Sequence, residues 1–499
     1  MSIKGLAAKI FAKRIRKRID TWANNPIKTQ QKVFKDLLHT ARDTAFGKDH
    51  CFKDIKNHKD FVKQVPIRDY EQLRPYVDRV VDGEPDILWP GKPLYFAKTS
   101  GTTSGVKYIP LTKASMPTHI KAARNAILCY IAESGKTAFV DGKMIFLQGS
   151  PELIEKNGVH VGRLSGIVAH YVPKYLQKNR MPSFETNSID DWEKKVDAIV
   201  EETVDEDMTI ISGIPPWVQM YFEKLQHKTG KQIGKLFKNF ELFIYGGVNF
   251  EPYRVTFEKL IGRKVAGIEL YPASEGFFAF QDKQNEKGML LQLDSGMFYE
   301  FVKADTFFDE HPKRLTISDV EVGVNYVMLI SSNAGLWAYN IGDTVQFTNT
   351  DPYRVVVSGR IKHFISAFGE HVIGKEVEQA LKEGAEATGA MIKEFTVAPQ
   401  INPEASELPY HEWFIEFQEE PLHIENLALQ IDNSLRKQNS YYDDLIVGHI
   451  LRTLKITTVP ANGFNEYMKS VGKLGGQNKL PRLSNDRKIA DVLTAMTTT

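Results

Sequence analysis

A loop rich in glycine and hydroxyl residues has the composition needed to bind phosphate. Residues 96–107 read FAKTSGTTSGVK. The glycines allow backbone N–H groups to approach a phosphate closely, the hydroxyls add hydrogen-bond donors, and Lys107 adds a positive charge. The spacing is not that of a Walker loop. The segment therefore predicts a phosphate loop, although the same composition is also typical of a flexible turn.

Two carboxylates follow strand-like runs. Glu275 lies in YPASEG at 271–276, and Asp343 lies in YNIGDT at 339–344. Open α/β sheets bind ligands where parallel strands end. Glu275 has the chemistry of a Mg²⁺ ligand, and Asp343 can accept two hydrogen bonds from ribose hydroxyls. Each residue taken alone is equally compatible with an ordinary turn.

Three cationic residues lie in segments that the sequence predicts to be a hinge or a mobile loop. Arg360 and Lys362 belong to SGRIKH at 358–363, and Lys479 belongs to LGGQNKLPR at 474–482. Cations at a hinge can contact phosphate or change position when a lid moves. A basic linker and an exposed tail are the alternative interpretations.

The elements that must position these residues alternate between strands and helices from about residue 94. Buried strands are predicted at 143–148, 208–214, 240–245 and 264–271, and a helix is predicted to open at Pro215. This alternation predicts an α/β sheet with parallel strands. Residues 28–90 read as helices and turns. Residues 289–347 carry closely spaced strand patterns, which predict a β-rich subdomain.

A smaller unit is predicted after residue 361. Its predicted elements are a helix at 374–389, strands at 394–398 and 413–417, a helix at 424–438, a strand at 451–459 and a helix at 464–471. The chain is therefore expected to form a large N-terminal α/β domain at 1–361 and a small α+β C-terminal lid at 362–499. A length of 499 residues fits two unequal domains.

Composition excludes several classes of protein. Lys+Arg 64 against Asp+Glu 62 gives a net charge of +2, which does not favour nucleic acid as a partner. Two cysteines rule out a disulfide framework and a cysteine zinc site, and fit a reducing compartment. The apolar runs are too short to span a membrane. We expect a cytoplasmic protein that is a monomer or weak dimer.

The N-terminus is strongly basic. Seven Lys and Arg residues precede the first acid, Asp20, while Ile3, Leu6, Ile10 and Ile15 recur near helical spacing. We predict an amphipathic helix packed on the domain with its basic face in solvent. A membrane-surface helix and a transit peptide are the alternatives.

The order of the five segments resembles that of the acyl-adenylate-forming (ANL) superfamily. Within it the chain resembles the Gretchen Hagen family of acyl-acid amido synthetases, which includes auxin-responsive plant proteins and bacterial members. TAFGKDH at 44–50, VPIRDYE at 65–71, GE at 83–84 and AGLWAY at 334–339 also resemble that family. The resemblance extends from about residue 30 to 483.

The resemblance implies that ATP and Mg²⁺ activate a carboxylic acid as an acyl-adenylate, which an amine, typically of an amino acid, then converts to an amide. It implies catalytic roles for Lys479 and Lys107. It further implies a phosphate loop made of Ser100, Gly101, Thr102, Thr103 and Ser104, and an adenine pocket that includes Gly247 and Val248. It assigns the adenine and α-phosphate segment to Tyr271, Ala273 and Ser274, and the Mg²⁺ ligand to Glu275. It assigns the ribose ligand to Asp343 and the hinge cations to Arg360 and Lys362.

Two departures leave the acceptor open. Residues 368–371 read FGEH, which resembles other adenylate-forming enzymes more than the plant members, and Pro272 replaces a usual small residue. An acyl- or aryl-CoA ligase uses the same adenylate and remains an alternative. A non-catalytic nucleotide- or acyl-binding protein is the second. The sequence does not reveal the acyl pocket, although the helix predicted at 116–132 can supply it.

Overall fold

The computed structural model describes residues 2–102, 105–171, 177–189, 191–247, 250, 254–361, 364–365, 367–370, 372–403, 407–471 and 480–497. The chain divides into two compact units, and short internal segments make both discontinuous. The first comprises Met1–Thr99, Lys107–Ile189 and Lys195–Ile361; the second comprises Ser100–Val106, Asp190–Lys194 and Lys362–Thr499.

The N-terminal part is helical, as the sequence predicts. The helices are α1 Ile3–Ala23, α2 Pro26–Ala41, α3 Ala45–Asp49, α4 His58–Gln64 and α5 Tyr70–Val81. Polar side chains begin four of them by accepting a hydrogen bond from a first-turn N–H group: Ser2, Thr44, Asn57 and Asp69. Asp69 and Gln72 form a reciprocal capping box, so the start of α5 is well defined.

A small sheet follows the helices. Its strands are β1 Tyr95–Thr102, β2 Gly105–Leu111, β4 Ile154–Lys156 and β5 Val159–Gly162, in the order β2-β1-β5-β4. Helix α6, Met116–Ser134, follows β2 and packs against α1. The predicted packing of the N-terminal helix on the domain is therefore confirmed.

The first unit is built on a mixed sheet of eleven strands. Its parallel strands are β3 Lys143–Phe146, β6 Arg180–Met181, β7 Met208–Ser212, β8 Leu242–Gly246 and β9 Ala266–Ala273. Its antiparallel strands are β10 Gly276–Phe280, β11 Met289–Leu291, β12 Met297–Lys303, β13 Asn325–Ser332, β14 Tyr339–Thr350 and β15 Tyr353–Arg360. The strand order is β12-β13-β14-β15-β11-β10-β9-β8-β7-β3-β6. The predicted β-rich segment thus continues the parallel sheet.

Helices fill the connections between the parallel strands. They are α7 Leu164–Ala169, α8 Phe184–Asn187, α9 Trp192–Thr203, α10 Pro215–Thr229, α11 Ile233–Leu236 and α12 Arg254–Ile261. Helix α10 begins at Pro215, as predicted, because proline at the first helical position needs no backbone donor. Short 3₁₀ turns occur at Phe52–Asp54, Ala138–Asp141, Ala304–Thr306 and Ile317–Asp319.

Two ionic networks lie buried in the first unit. Asp282 accepts hydrogen bonds from Arg354 at 2.6 Å and from Arg16 of α1 at 2.7 Å. Glu300 accepts two from Arg314, at 2.9 and 2.7 Å, and contacts His58 at 2.7 Å. Because these carboxylates are almost fully buried, their cations compensate the cost of removing them from water.

The second unit has the predicted α+β composition. Its elements are β16 Phe364–Ile365, β17 Val372–Ile373, α13 Gly374–Thr388, β18 Met391–Gln400, β19 Tyr410–Glu419, α14 Ile424–Gln438, α15 Ser440–Val447, β20 Lys455–Thr458, α16 Gly463–Ser470 and α17 Lys488–Thr497. Strands β18, β19 and β20 form one sheet, with β19 and β20 parallel. Buried Glu370 contacts buried His411 at 2.8 Å.

Candidate active site

The carboxyl ends of four parallel strands lie at one edge of the large sheet. Phe146 of β3 pairs with Ser212 of β7, and Ser212 pairs with Ile244 of β8. Gly246 of β8 pairs with Leu270 of β9. The residues that follow these strands therefore share one border, which we call the carboxyl edge. Ligands bind at such edges in open α/β sheets.

Two glycines end β8 beside β9. A Cβ atom at Gly246 would lie 2.3 Å from the carbonyl oxygen of Leu270, so only glycine fits there. Gly247 is exposed and has a φ of +83°, and among the described residues a Cβ there would meet only Ile214, at 3.9 Å. The two residues present a backbone surface without side chains, which a flat ring can approach. Val248 lies outside the part of the chain that the structure describes.

A tight hairpin holds Glu275 at the carboxyl edge. Ala273 of β9 pairs with Gly276 of β10, so Ser274 and Glu275 form the turn between the strands. A Cβ atom at Gly276 would lie 2.2 Å from the terminal methyl carbon of Met297, so a side chain at this position would require the flexible Met297 side chain to move. Both turn residues are half-buried. The sequence pattern thus places a carboxylate at the end of β9, as predicted.

A hydrogen bond joins two of the predicted ligand segments. The hydroxyl of Tyr271 donates to Oδ2 of Asp343 over 2.6 Å, and both side chains are buried. β9 and β14 are not neighbours in the sheet, so their side chains create this contact. The ring of Tyr271 also packs edge-on against Phe278 at 4.9 Å. A carboxylate fixed in this way is oriented to accept hydrogen bonds from a ligand that carries hydroxyl groups.

The backbone around Asp343 is also fixed. Gly342 has a φ of +86°, its N–H group donates to the side chain of Asn340 at 2.8 Å, and its carbonyl accepts from the N–H of Ile361 at 2.8 Å. Asp343 pairs with Arg360 on β15. The structure therefore brings Arg360 beside Asp343 in backbone register, although it does not describe the Arg360 side chain.

The N-terminal family segments support the start of β14. Arg68 accepts a backbone hydrogen bond from Asn340 at 2.8 Å and donates one to Ala338 at 3.2 Å. Its guanidinium contacts His50 at 2.9 Å, and burial lowers the pKa of Arg68. Segments 44–50, 65–71 and 334–339, which carry the resemblance, therefore pack together and position the strand that bears Asp343.

Lys107 lies on β2 beside the same segments. Its ammonium group is 5.5 Å from the centroid of the Tyr70 ring, a cation–π geometry. The Tyr70 hydroxyl accepts a hydrogen bond from the N–H of Tyr108 at 2.8 Å, and burial raises the pKa of Tyr70 to about 12. Tyr70 therefore stays neutral at physiological pH and orients Lys107 without neutralising it.

Several predicted residues lie wholly or partly outside the described part of the chain. Ser100, Gly101 and Thr102 end β1, but their side chains are not described. Thr103, Ser104, Lys362 and Lys479 lie outside the described residues. Among the residues that are described, no group of three or more His, Cys, Asp or Glu side chains is arranged to hold a metal ion.

Two donors near the end of β3, Arg180 and Gln148, are not predicted from the sequence. The guanidinium of Arg180 lies 5.4 Å from the ring centroid of Phe146 and donates to the carbonyl of Ala169 at 3.1 Å. Gln148 follows two residues after Phe146, and its buried Nε2 atom has no hydrogen-bond partner among the described residues. A sequence signal existed, because the predicted strand 143–148 ends at Gln148, but nothing in it identified Arg180.

Family comparison assigns three segments of the chain. The model of the GH3 family N-terminal domain matches residues 15–190, the central-domain model matches 290–360, and the C-terminal-domain model matches 375–488. Together these matches cover well over half of the 499 residues. They include the N-terminal segments described above, Lys107, Asp343 and Arg360.

Two plant proteins that are similar to this chain are named as synthetases. Indole-3-acetic acid-amido synthetase GH3.3 of Arabidopsis thaliana is 20% identical over 95% of this chain and 92% of its own length. Jasmonoyl--L-amino acid synthetase JAR4 of Nicotiana attenuata is 24% identical over 27% of this chain and 23% of its own length.

Two solved structures share the fold. The GH3.15 acyl acid amido synthetase in complex with 2,4-DB superposes with a TM-score of 0.60 at 16% identity, over 97% of this chain and 96% of its own. A 2-hydroxyisobutyryl-CoA ligase gives a TM-score of 0.59 at 12% identity, over 95% of this chain and 92% of its own. At these identities the likeness concerns the fold, and it confirms the predicted α/β class.

Proposed function

Because the chain belongs to the GH3 family, we propose that it activates a carboxylic acid with ATP and transfers the acyl group to the amine of an amino acid. In the first step a carboxylate oxygen attacks the α-phosphorus and pyrophosphate leaves. In the second the amine attacks the acyl carbon, an amide bond forms and AMP leaves.

The contact between Tyr271 and Asp343 carries this proposal. It joins the two segments that the resemblance assigns to adenine and ribose, at 2.6 Å. The bare backbone of Gly246 and Gly247 and the turn carboxylate Glu275 lie at the ends of the adjacent β8 and β9. A flat base, a ribose and a phosphate-bound cation have matching chemistry at this one edge of the sheet.

Electrostatics dominates the proposed first step. A carboxylate and a triphosphate repel each other, so catalysis depends on cations and backbone donors that neutralise and align them. Lys107 lies at the end of the glycine-rich loop, oriented by Tyr70. Lys362 and Lys479 are proposed to contribute from the C-terminal domain, which we place at 362–499 and propose to move between the two steps, while Arg360 contributes from the hinge that precedes it.

Glu275 is the residue that would hold Mg²⁺. Magnesium is commonly bound by one or two carboxylates together with substrate phosphates, and this mode fits a single glutamate at the end of β9. The bound ion would supply charge neutralisation at the phosphates. The first step can be followed as exchange of labelled pyrophosphate into ATP. We expect Glu275→Gln to raise the Mg²⁺ concentration needed for the half-maximal rate of this exchange. An unchanged Mg²⁺ dependence would show that Glu275 has a structural role.

The acid is proposed to lie over the end of β3. Arg180, Phe146 and Gln148 combine a cation, an aromatic ring and an amide donor beside the carboxyl edge. This set fits an acid that carries both an apolar body and a second polar group. We expect Arg180→Met to raise KM for the acid while KM for ATP stays unchanged. Equal effects on both constants would indicate loss of structure.

The decisive experiment is acid-dependent exchange of labelled pyrophosphate into ATP, measured against a panel of carboxylic acids. Exchange that requires one class of acid establishes adenylation. ATP binding without exchange would identify a non-catalytic binding protein. Once the acid is known, amino acids and coenzyme A are offered separately, and the product is identified by mass spectrometry. Formation of a thioester but no amide would assign the chain to the CoA ligases.

A further inference from the structure

Helix α1 has one face that fixes it to the first unit. The buried residues of that face are Gly5, Ala12, Ile15, Ile19, Trp22 and Ala23. Arg16, on the edge of this face, donates to buried Asp282 at 2.7 Å and also contacts Asp20. Burial lowers the pKa of Arg16, but the hydrogen bonds to these two carboxylates outweigh burial and raise it. The helix is therefore a fixed part of the unit.

The opposite face of α1 begins with exposed aliphatic side chains. Ile3 is 90% exposed, Leu6 50% and Ile10 64%. At 3.6 residues per turn these three lie on one side of the helix, roughly opposite Ala12 and Ile19. Large aliphatic side chains grouped in this way are unusual in water and are typical of an interaction site.

Cations continue the same face. Lys13, Arg14 and Lys17 lie on it one and two turns after Ile10. In the described part of the chain, no carboxylate lies within 4.0 Å of these three side chains or of Lys4 and Lys9. The first 23 residues carry a net charge of +6, whereas the whole chain carries +2. The positive charge is therefore concentrated on this helix.

We propose that this exposed face of α1 binds the surface of an anionic lipid bilayer. The aliphatic side chains enter the boundary between headgroups and acyl chains, and the cations interact with the anionic headgroups. Each Lys or Arg near such a surface strengthens binding by about fivefold. The protein attaches peripherally, and none of the described helices is long and apolar enough to cross a membrane.

The observations favour lipid over other partners. A nucleic acid would use the cations but would leave Ile3, Leu6 and Ile10 in water. A second copy of the chain would bring two positively charged faces together, which repel each other. Only an anionic and partly apolar surface satisfies both halves of the face. The proposal is independent of the amido synthetase function.

Vesicle co-sedimentation of the full chain tests the proposal. We expect binding to phosphatidylcholine vesicles that contain about 30% phosphatidylserine, little binding to pure phosphatidylcholine, and release at high salt. Replacing Lys13, Arg14 and Lys17 together by glutamine should weaken binding by about 100-fold. Replacing Ile3, Leu6 and Ile10 together by serine should weaken it by about tenfold or more.

A matched control removes three exposed lysines elsewhere in the first unit, Lys231, Lys235 and Lys238, by the same change to glutamine. This variant should bind as the wild type does. Circular dichroism and thermal unfolding of each variant verify folding. Equal binding to neutral and anionic vesicles, or wild-type binding by the Lys13–Arg14–Lys17 variant, would overturn the proposal. Binding to an RNA homopolymer without vesicle binding would also overturn it, in favour of nucleic acid.

Discussion

Buried carboxylates in two regions of the first unit have different kinds of partner. Inside the sheet scaffold, Asp282 contacts Arg354 and Arg16, and Glu300 contacts Arg314. At the carboxyl edge, Asp343 accepts a hydrogen bond from the neutral phenol of Tyr271. A cationic partner compensates for the burial of a carboxylate, whereas the hydrogen bond from Tyr271 orients Asp343. The scaffold pairs should therefore determine stability, and the edge should determine ligand binding.

The largest effect is expected from Lys479→Ala. The resemblance gives this lysine the charge that adenylation requires, so exchange should fall by more than about 1,000-fold, or about 4 kcal/mol of barrier. The glycines that precede it suggest a loop, so the free energy of unfolding should change by less than about 0.5 kcal/mol. Lys469→Ala, at an exposed position of α16, is the control. Unchanged exchange in Lys479→Ala would refute its assignment.

The second largest effect should appear in Asp282→Ala. The change leaves Arg354, which is 1% exposed, without its anion and removes one of the two carboxylates that contact Arg16. Breaking a buried pair in this way costs about 3–5 kcal/mol of unfolding free energy. KM for ATP should stay at the wild-type value in the folded fraction. Urea unfolding measures the first quantity and exchange kinetics the second.

Exposed Asp309→Ala is the matched control for Asp282→Ala, because it removes a carboxylate without breaking a buried pair. Its stability should remain within about 0.5 kcal/mol of the wild type. If Asp282→Ala also lost less than about 1 kcal/mol, or if it raised KM for ATP, the division between scaffold and edge would be wrong.

Tyr271→Phe should affect KM for ATP more than it affects stability, which is the opposite of Asp282→Ala. Loss of the hydroxyl removes one contact that orients Asp343, which should raise KM for ATP by about tenfold, while the free energy of unfolding falls by about 1–2 kcal/mol. Tyr221→Phe is a close control, because the Tyr221 hydroxyl is also buried and contacts Thr203 at 2.7 Å, away from the carboxyl edge. The Tyr221→Phe variant should lose a similar free energy of unfolding and keep the wild-type KM for ATP. A rise in KM in both variants would contradict the comparison.

The elements of the fold were largely readable because their apolar patterns are local. Helix α14 occupies the predicted residues 424–438, and β7 to β9 fall within about two residues of their predicted positions. The sequence did not reveal which strands pair with each other. The joining of the β-rich segment to the parallel strands depends on antiparallel contacts between β9, β10 and β11, which no local pattern encodes.

The sequence predicted which residues belong to the candidate site, but it did not predict the contacts between them. Both Glu275 and Asp343 follow a strand-like run in the sequence and have a glycine neighbour. The structure places Glu275 in the predicted turn, whereas Asp343 lies inside β14 and not at a strand end. The bond from Tyr271 to Asp343 joins residues 72 positions apart and has no sequence signal. Arg180 was missed for the same reason, because its contact with Phe146 depends on the pairing of β6 with β3. The Mg²⁺ role of Glu275 and the domain boundary at 361 stay predictions.

The smallest effect is the contribution of one scaffold carboxylate, Glu300, to the pH dependence of stability. Burial raises the pKa of Glu300, but Arg314 and His58 outweigh burial and lower it below its ordinary value of 4.5. A carboxylate with a lowered pKa in the folded state stabilises the protein fully above the unfolded value. That stabilisation is lost as pH falls through the lower, folded value. Unfolding free energy should therefore decline below about pH 4.5.

Glu300→Gln isolates this contribution. The variant should be less stable near neutral pH, because Arg314 loses its anion, and its stability should fall less steeply below about pH 4.5 than that of the wild type. Exposed Glu310→Gln should keep the wild-type slope. Urea titrations across this range measure both slopes. If Glu300→Gln kept the full wild-type slope, the acid sensitivity would arise elsewhere, and the buried charge at Glu300 would not be one of its causes.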